Sequence, residues 1–301
     1  MTVRLGIDLG GTKIAAVVLS GDGRAIWEAR AATPRDDYDA TVEAIAGLVA
    51  AGERAAAATC SVGLGIPGAI SPATGRIKNA NSTWLNGRPF KEDLERRLGR
   101  EVRLANDANC LAVSEATDGA ASGARVVFGV ILGTGVGGGV VVNGDIVTGA
   151  NAIAGEWGHN PLPWPAADEL PGPACYCGHR GCLETFLSGP GLAADYARRG
   201  GEALRSEDIV ARASAGEALA RTVLDVWEQR LARALATVIN VLDPDVIVVG
   251  GGLSQLRDLY ARVPPQWPAW VFSDAVVTRL VPAKHGDASG VRGAARLWPE
   301  G

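Results

Sequence analysis

The chain has 301 residues, 47% of them apolar and 21% charged, which is enough for two domains with real cores and is the composition of a soluble globular protein. Its formal net charge of −4 gives no basic field for phosphate backbones, so nucleic acid is not an expected partner. The longest apolar stretch, residues 126–142, is interrupted by Gly129, Gly133, Gly135, Gly137, Gly138 and Gly139, and no charged leader with an apolar core precedes the first strand. Neither a membrane span nor export is therefore expected, and a reducing cytoplasm is the expected compartment.

In chain order, residues 3–9 read as a short apolar strand, Gly10-Gly11-Thr12 as a turn, and residues 14–19 as a second strand ending at Gly21-Asp22-Gly23. Asp36 and Asp37 mark the start of an alanine-rich helix running to about residue 54. A strand over 61–66 stops at Pro67-Gly68, and a helix over 89–98 ends at Gly99. Residues 102–105 form a strand, and Asn106-Asp107 sits where the chain turns into a helix over 109–117.

The pattern then restarts. Residues 126–132 and 138–142 are strands about a glycine turn, and Asn143-Gly144 is a strong hairpin signal. A long helix over 218–242 carries Val223, Val226, Leu231, Leu235, Val238 and Leu242 near helical spacing and ends at Asp243-Pro244. Residues 246–249 form a buried strand, Gly250-Gly251-Gly252 opens another helix, and residues 289–297 form a last helix that packs back across the boundary. Because both halves open with strand, glycine turn and strand, the expectation is two related α/β domains around a central cleft. The first spans residues 1–119, joined by 289–301, and the second spans 120–288.

Asp8-Leu9-Gly10-Gly11-Thr12-Lys13 puts a carboxylate at a strand end with bare backbone after it, where successive N–H groups can point at an anion. It lacks the spacing of a Walker loop. Gly133, Thr134, Gly135 and Gly137 repeat the idea in the second half, and Gly250, Gly251 and Gly252 offer a third glycine turn. Each turn alone is equally well explained as a tight turn; as a matched set they suggest a nucleotide held across the cleft. Asp8 would then hold Mg²⁺, directly or through water. Asp107 admits two readings: a cap for the following helix, or a general base that takes a proton from a hydroxyl attacking phosphorus.

His159, Cys175, Cys177 and Cys182 supply three thiolates and an imidazole from a short region, a donor set suited to tetrahedral Zn²⁺. A disulfide or three unrelated buried thiols are the alternatives, and clustering without a secretory signature favours zinc. Cys60 and Cys110 stand apart and read as small buried hydrophobes. Two acids, Glu156 and Glu184, flank the ligands.

With these motifs in hand, the chain resembles sugar kinases of the ROK family, in the actin and hexokinase superfamily with its ribonuclease H-like domains. The resemblance rests on residues 8–13, Leu104-Ala105-Asn106-Asp107-Ala108-Asn109, and residues 133–139, 155–159, 175–184 and 245–252, so it covers nearly the whole chain. Residues 79–87, 157–164 and 284–290 are similar to the family's bacterial fructokinases. The resemblance implies an ATP- and Mg²⁺-dependent hexose kinase with fructose as acceptor; a glucokinase, mannokinase or N-acetylhexosamine kinase is the alternative, and a non-catalytic sugar sensor the reading from another class. It implies Asp107 as catalytic base, and Asn106, Glu156, His159, Glu184 and more weakly Asn81 as the sugar pocket. The zinc it implies is structural. Oligomeric state is left open, a homodimer being one option. A ROK repressor would need a DNA-binding domain ahead of the first strand, which the sequence places at residue 3.

Overall fold

The computed structural model describes residues 3–298. Both ends of the first expected domain, residues 1–2 and 299–301, lie outside the described residues. The first half is built from β1 (Arg4–Leu9), β2 (Lys13–Leu19), β3 (Ala25–Ala32), α1 (Tyr38–Ala56), β4 (Ser61–Ile66), β5 (Ala69–Ile70), β6 (Ile77–Lys78), α2 (Phe90–Leu98), β7 (Val102–Asn106) and α3 (Asp107–Thr117). The second contains β8 (Val126–Leu132), β9 (Val136–Val142), β10 (Asp145–Ile146), α4 (Glu184–Leu187), α5 (Gly189–Arg198), α6 (Ser206–Ser214), α7 (Ala218–Leu242), β11 (Val246–Gly250), α8 (Leu259–Arg262), β12 (Arg279–Pro282) and α9 (Ser289–Ala295).

The two halves share one plan. Their five-stranded sheets run β3-β2-β1-β4-β7 and β10-β9-β8-β11-β12. In each, the opening hairpin is antiparallel, with Asp8 opposite Ala15 and Ile131 opposite Gly137, and the first strand pairs in parallel with the strand beside it, β4 or β11. The repeat read from the sequence is thus a repeat of topology.

Local chemistry explains most element ends. Asp37 caps α1, its Oδ1 accepting from the Ala40 N–H at 3.0 Å, and Gly99 closes α2 in the left-handed region at φ 68°. Asn143 and Gly144 both take positive φ, 53° and 86°, as the tight hairpin into β10 requires.

Three expectations are corrected. Strand β3 was not anticipated, because its alternating exposed and half-buried residues at the sheet edge carry little apolar signal. The helix expected from 109 begins at Asp107, and its cap is Asn106, whose Oδ1 accepts from the Ala108 N–H at 2.9 Å. Gly250-Gly251-Gly252 leads only into a short 3₁₀ turn, Gly252–Gln255, and the α-helix that follows, α8, has four residues.

Helix α3 lies between the halves. It packs on β8 and β9 of the second sheet and on α9, which itself lies against β1, β2 and β4 of the first. Both approaches need glycine. A methyl group on Gly293 of α9 would lie 1.7 Å from the Cys110 carbonyl oxygen, and one on Gly139 of β9 would lie 2.5 Å from that of Ala108. Beyond this contact, Glu115 of α3 accepts from the Lys284 and His285 N–H groups at 2.9 and 3.1 Å and from the Ser289 hydroxyl at 2.8 Å. Residues 284–289 thus tie the end of α3 to the start of α9.

Thermal unfolding of two glycine variants tests this packing. Gly293→Ala should destabilise by about 1–3 kcal/mol or more, since its methyl meets backbone that cannot yield. Gly47→Ala, on the exposed face of α1 with nothing within 4 Å, should stabilise by about 0.5–1 kcal/mol through helix propensity. Equal midpoints for the two variants would contradict the account.

Candidate functional site

Asp8 ends β1 and Asp107 begins α3, and the packing just described brings them together. Asp8 lies close to Gly65 of β4 and Gly290 of α9, whose Cβ positions would stand 3.5 and 3.1 Å from its carboxylate oxygens. Burial pushes the Asp8 carboxyl up to about 6, against the opposing charge of Lys13. Burial and then the charge of Asp8 push Asp107 up to about 7, with Glu156 adding to the rise. A buried carboxyl raised further by a neighbouring carboxylate is a functional-site signature. Asp107 Oδ1 accepts from the Ala108 N–H at 2.8 Å, so the group expected as either cap or base is oriented by the helix while Asn106 does the capping. Asn106 Nδ2 also donates to the Gly68 carbonyl at 3.2 Å, tying α3 to the β5–β6 hairpin.

On the facing side, residues 155–159 lie along β9. Trp157 is buried edge-on against Phe128 and donates from Nε1 to the Gly137 carbonyl at 2.9 Å. This holds Glu156 at the cleft, where burial raises its carboxyl while His159 opposes the rise. Glu184 opens α4, and its Oε2 accepts from the Val136 N–H at 2.9 Å, the first residue of β9 after the glycine turn. Asn106, Asn109 and Glu156 line a small cavity of about 100 Å³ with Ala69, Ile70 and Ile153, so both halves contribute to it. Asn81, the weaker candidate, is exposed, and neither it nor Asp107, His159 or Glu184 lines that cavity.

The four expected metal donors are brought together. The chain around 161 and 182 pairs in an antiparallel bridge, as does that around 174 and 180, and between them Gly178 turns at φ 92° while the Cys175 N–H donates to the His179 carbonyl at 2.8 Å. All ligand atoms of His159, Cys175, Cys177 and Cys182 lie within 4.8 Å of one another, with Cys175 Sγ 3.6 Å from His159 Nδ1 and Cys177 Sγ 3.6 Å from Cys182 Sγ. Ligands about 2.3 Å from a tetrahedral Zn²⁺ stand about 3.8 Å apart, so the donor set fits the ion. The five cysteines are free, which disposes of a disulfide. His159 Nε2 faces away from the sulfurs and meets the Tyr176 hydroxyl at 3.0 Å, a partner the sequence did not single out. Burial and the neighbouring thiols push Cys182 up to about 12, whereas the His179 N–H pulls Cys177 down.

A second cavity, of about 700 Å³, opens in the other half. Gly133, Thr134 and Gly252 line it, as the paired turns suggested. Gly135 and Gly137 lie outside its lining, as do Gly10, Gly11, Thr12 and Lys13. Gly250 and Gly251 have packing reasons: side chains there would strike Leu111 and the Leu132 carbonyl. The rest of the wall comes from Pro190 and Ala193 of α5, Ser206 and Val210 of α6, and Leu253 and Leu256. Sequence reading missed these, since mixed residues on short helices carry no motif.

A family model described as the ROK family matches residues 4–301. N-acetyl-D-glucosamine kinase of Shigella flexneri serotype 5b is 42% identical over 296 residues, covering 97% of this chain and 98% of the relative, and the kinase of the same name from Escherichia coli O1:K1 matches to the same extent. Among solved structures, a ROK hexokinase from Thermus thermophilus superposes with a TM-score of 0.85 at 32% identity, covering 98% of this chain and 97% of that one. A ROK family glucokinase from Streptomyces griseus in complex with glucose and AMPPNP gives a TM-score of 0.80 at 28% identity, with 99% and 100% covered.

Proposed function

The chain belongs to the ROK family and is a sugar kinase, and from that premise we propose that it transfers the γ-phosphoryl group of ATP to a primary hexose hydroxyl with Asp107 as general base. One observation carries the mechanism: the buried Asp107 carboxyl at the start of α3 lies near enough to Asp8 and Glu156 to feel their charge, and its neighbour Asn106 and Glu156 line the small cavity shared by both halves.

In this reading the nucleotide occupies the larger cavity against Gly133, Thr134 and Gly252, with the remaining glycine turns and Lys13 toward its phosphates. Asn106, Glu156, His159 and Glu184 bond the sugar hydroxyls, which offer both donors and acceptors. The sugar oxygen attacks the γ-phosphorus, its proton passes to Asp107, and the bond to the ADP oxygen breaks. Mg²⁺ held with ATP near Asp8 would neutralise phosphate charge. Its field, with that of Lys13, would also favour the ionised form of Asp107 that accepts the proton. Zinc at His159 and the three cysteines would be structural: by fixing the residues on either side of the ligands it fixes Glu156 and Glu184.

The acceptor has two readings. The curated relatives favour N-acetyl-D-glucosamine over the fructose expected from residues 79–87 and 157–164. The structure also shows that those stretches serve the fold. Asn86 bonds the Ala80 N–H and carbonyl, each at 2.9 Å, Leu85 is fully buried, and Trp164 stacks on Trp270. Resemblance there therefore says little about the sugar. Fructose remains the second reading, resting only on the resemblance of those stretches. Measuring kcat/KM for N-acetylglucosamine, N-acetylmannosamine, glucose, mannose and fructose decides between them. We expect N-acetylglucosamine to lead; a lead for fructose would restore the second reading and leave the chemistry intact.

Asp107→Asn keeps the shape and loses the proton acceptor, so it should fold, bind sugar, and lose at least about 10²- to 10⁴-fold in kcat. For the wild type, only the ionised carboxylate can act, so kcat/KM should fall as pH drops below about 7, the value to which burial and the charge of Asp8 raise Asp107. Wild-type turnover in the variant would reduce Asp107 to a structural residue.

Metal analysis should find one zinc per chain. Cys177→Ser should lower both metal content and thermal midpoint, because binding free energy at a structural site is folding free energy. A metal-free protein of full stability and sugar affinity would overturn the zinc assignment.

A further inference from the structure

The sugar cavity is closed by parts from both halves. Its floor is Asn106 and Asn109 at the start of α3, one wall is the β5–β6 hairpin with Ala69 and Ile70, and the other is the segment that follows β10, with Ile153 and Ala154. That segment is folded mainly on itself: the Ala152 N–H donates to the Gly149 carbonyl and the Ala154 N–H to that of Thr148, each at 3.2 Å. Across the gap runs a direct link. Lys78, the last residue of β6 and half-buried, donates from Nζ to the Asn151 carbonyl at 2.7 Å. Its register partner in β5 is Ala69, a lining residue, and Asn151 precedes the lining residue Ala152, so the bond ties the two walls together at their exposed rim. The same ammonium acts electrostatically on Glu156 and favours its charged form.

We infer that Lys78 is the latch of the sugar chamber, a positioning residue that joins the two walls over the bound sugar and keeps solvent from Asp107. This rests on the kinase reading of the same site. A charge-assisted hydrogen bond is directional and strong, yet one such bond is weak enough to open for entry and release. Its carbonyl acceptor is backbone, so the contact reports the path of residues 148–154 and not the side chain at position 151. With the latch closed, the γ-phosphorus meets the sugar oxygen and the ADP–phosphate bond breaks to form a sugar phosphate. With it open, a water oxygen can make the same attack, giving ADP and inorganic phosphate with the proton released to solvent.

The test compares wild type, Lys78→Met and Lys78→Arg in two assays, sugar phosphate formed and ATP hydrolysed with and without sugar. Lys78→Met keeps the aliphatic stem and removes the charge. It should raise KM for the sugar about tenfold while leaving KM for ATP close to the wild-type value, as loss of one charged hydrogen bond predicts. Phosphate released per sugar phosphate formed should rise in parallel, and Lys78→Arg should restore much of both. A purely structural role would lower stability without separating the two KM values or uncoupling hydrolysis from transfer. Unchanged sugar KM and coupling in Lys78→Met would overturn the latch while leaving the kinase reading standing. A wild-type enzyme that phosphorylates none of the sugars would overturn the kinase reading, and the latch with it.

Discussion

Everything at the site depends on how closely α3 approaches its neighbours. The helix carries Asp107 on its first turn and touches β9 on one side and α9 on the other, at distances where side chains on Gly139 and Gly293 would overlap its backbone. Close contact of this kind transmits position with little slack, because packed interiors resist small displacements. Asp107 is thereby set relative to the second sheet through β9 and relative to Asp8 through α9, whose Gly290 lies against the Asp8 carboxylate. Polar contacts take over where α3 ends. There Glu115 gathers three donors from residues 284–289, and Asp118 binds His285 and Arg292, each at 2.9 Å.

The second constraint is electrostatic. Burial disfavours the charged forms of Asp8, Asp107 and Glu156, most visibly at Asp107 and Asp8, and the charges of Asp8 and Glu156 add to the rise at Asp107. An acid held near neutrality is a better proton acceptor at physiological pH than one with its usual value, provided something can ionise it on demand. The second half, by contrast, neutralises its buried charges. Arg230 pairs with Glu169 and Asp195, both at 2.8 Å, and Arg233 with Glu169 at 2.8 Å; burial works against the Glu169 carboxylate, yet the two guanidinium groups hold it down at about 2. That network joins α7 to α5 and to the chain just before the cysteine knuckle. Opposite charges in contact hold the Glu169 and Asp195 carboxylates ionised there, whereas Asp107 has like charges for neighbours.

Much of this was legible beforehand, for identifiable reasons. The metal donors announced themselves because three cysteines and a histidine in a glycine-rich knuckle have few other uses. The repeat was visible because strand, glycine turn and strand recur, and α7 was read to its end residues because its apolar spacing and Asp243-Pro244 leave little choice. Strand β3 was not legible, since an exposed edge strand lacks the pattern that burial writes into sequence. Nor was the division of labour between Asn106 and Asp107, where both residues suit a cap and only the fold shows which carboxamide or carboxylate meets the Ala108 N–H at the helix start. The wall of the larger cavity was hidden for another reason: it is assembled from α5, α6 and the 253–256 turn, distant in sequence and ordinary in composition.

The two ligand regions are also mechanically joined. Glu184 follows the metal donor Cys182 by two residues and holds the Val136 N–H, while two residues into the next turn the Gly189 N–H donates to the Gly133 carbonyl at 2.8 Å. The chain from knuckle to α5 is therefore stapled at both ends of the Gly133–Val136 turn, which borders the larger cavity at Gly133 and the Glu184 carboxylate at Val136. Phosphate drawing that turn toward itself would pull on the peptide group to which Glu184 is bonded, and a sugar engaging Glu184 would fix the turn in return. Such reciprocity is what linkage requires of any two ligands that share one rigid element. It also gives the metal knuckle a role beyond stability: were residues 175–182 loose, the staple would have no fixed end, and occupancy of one cavity could not be felt at the other.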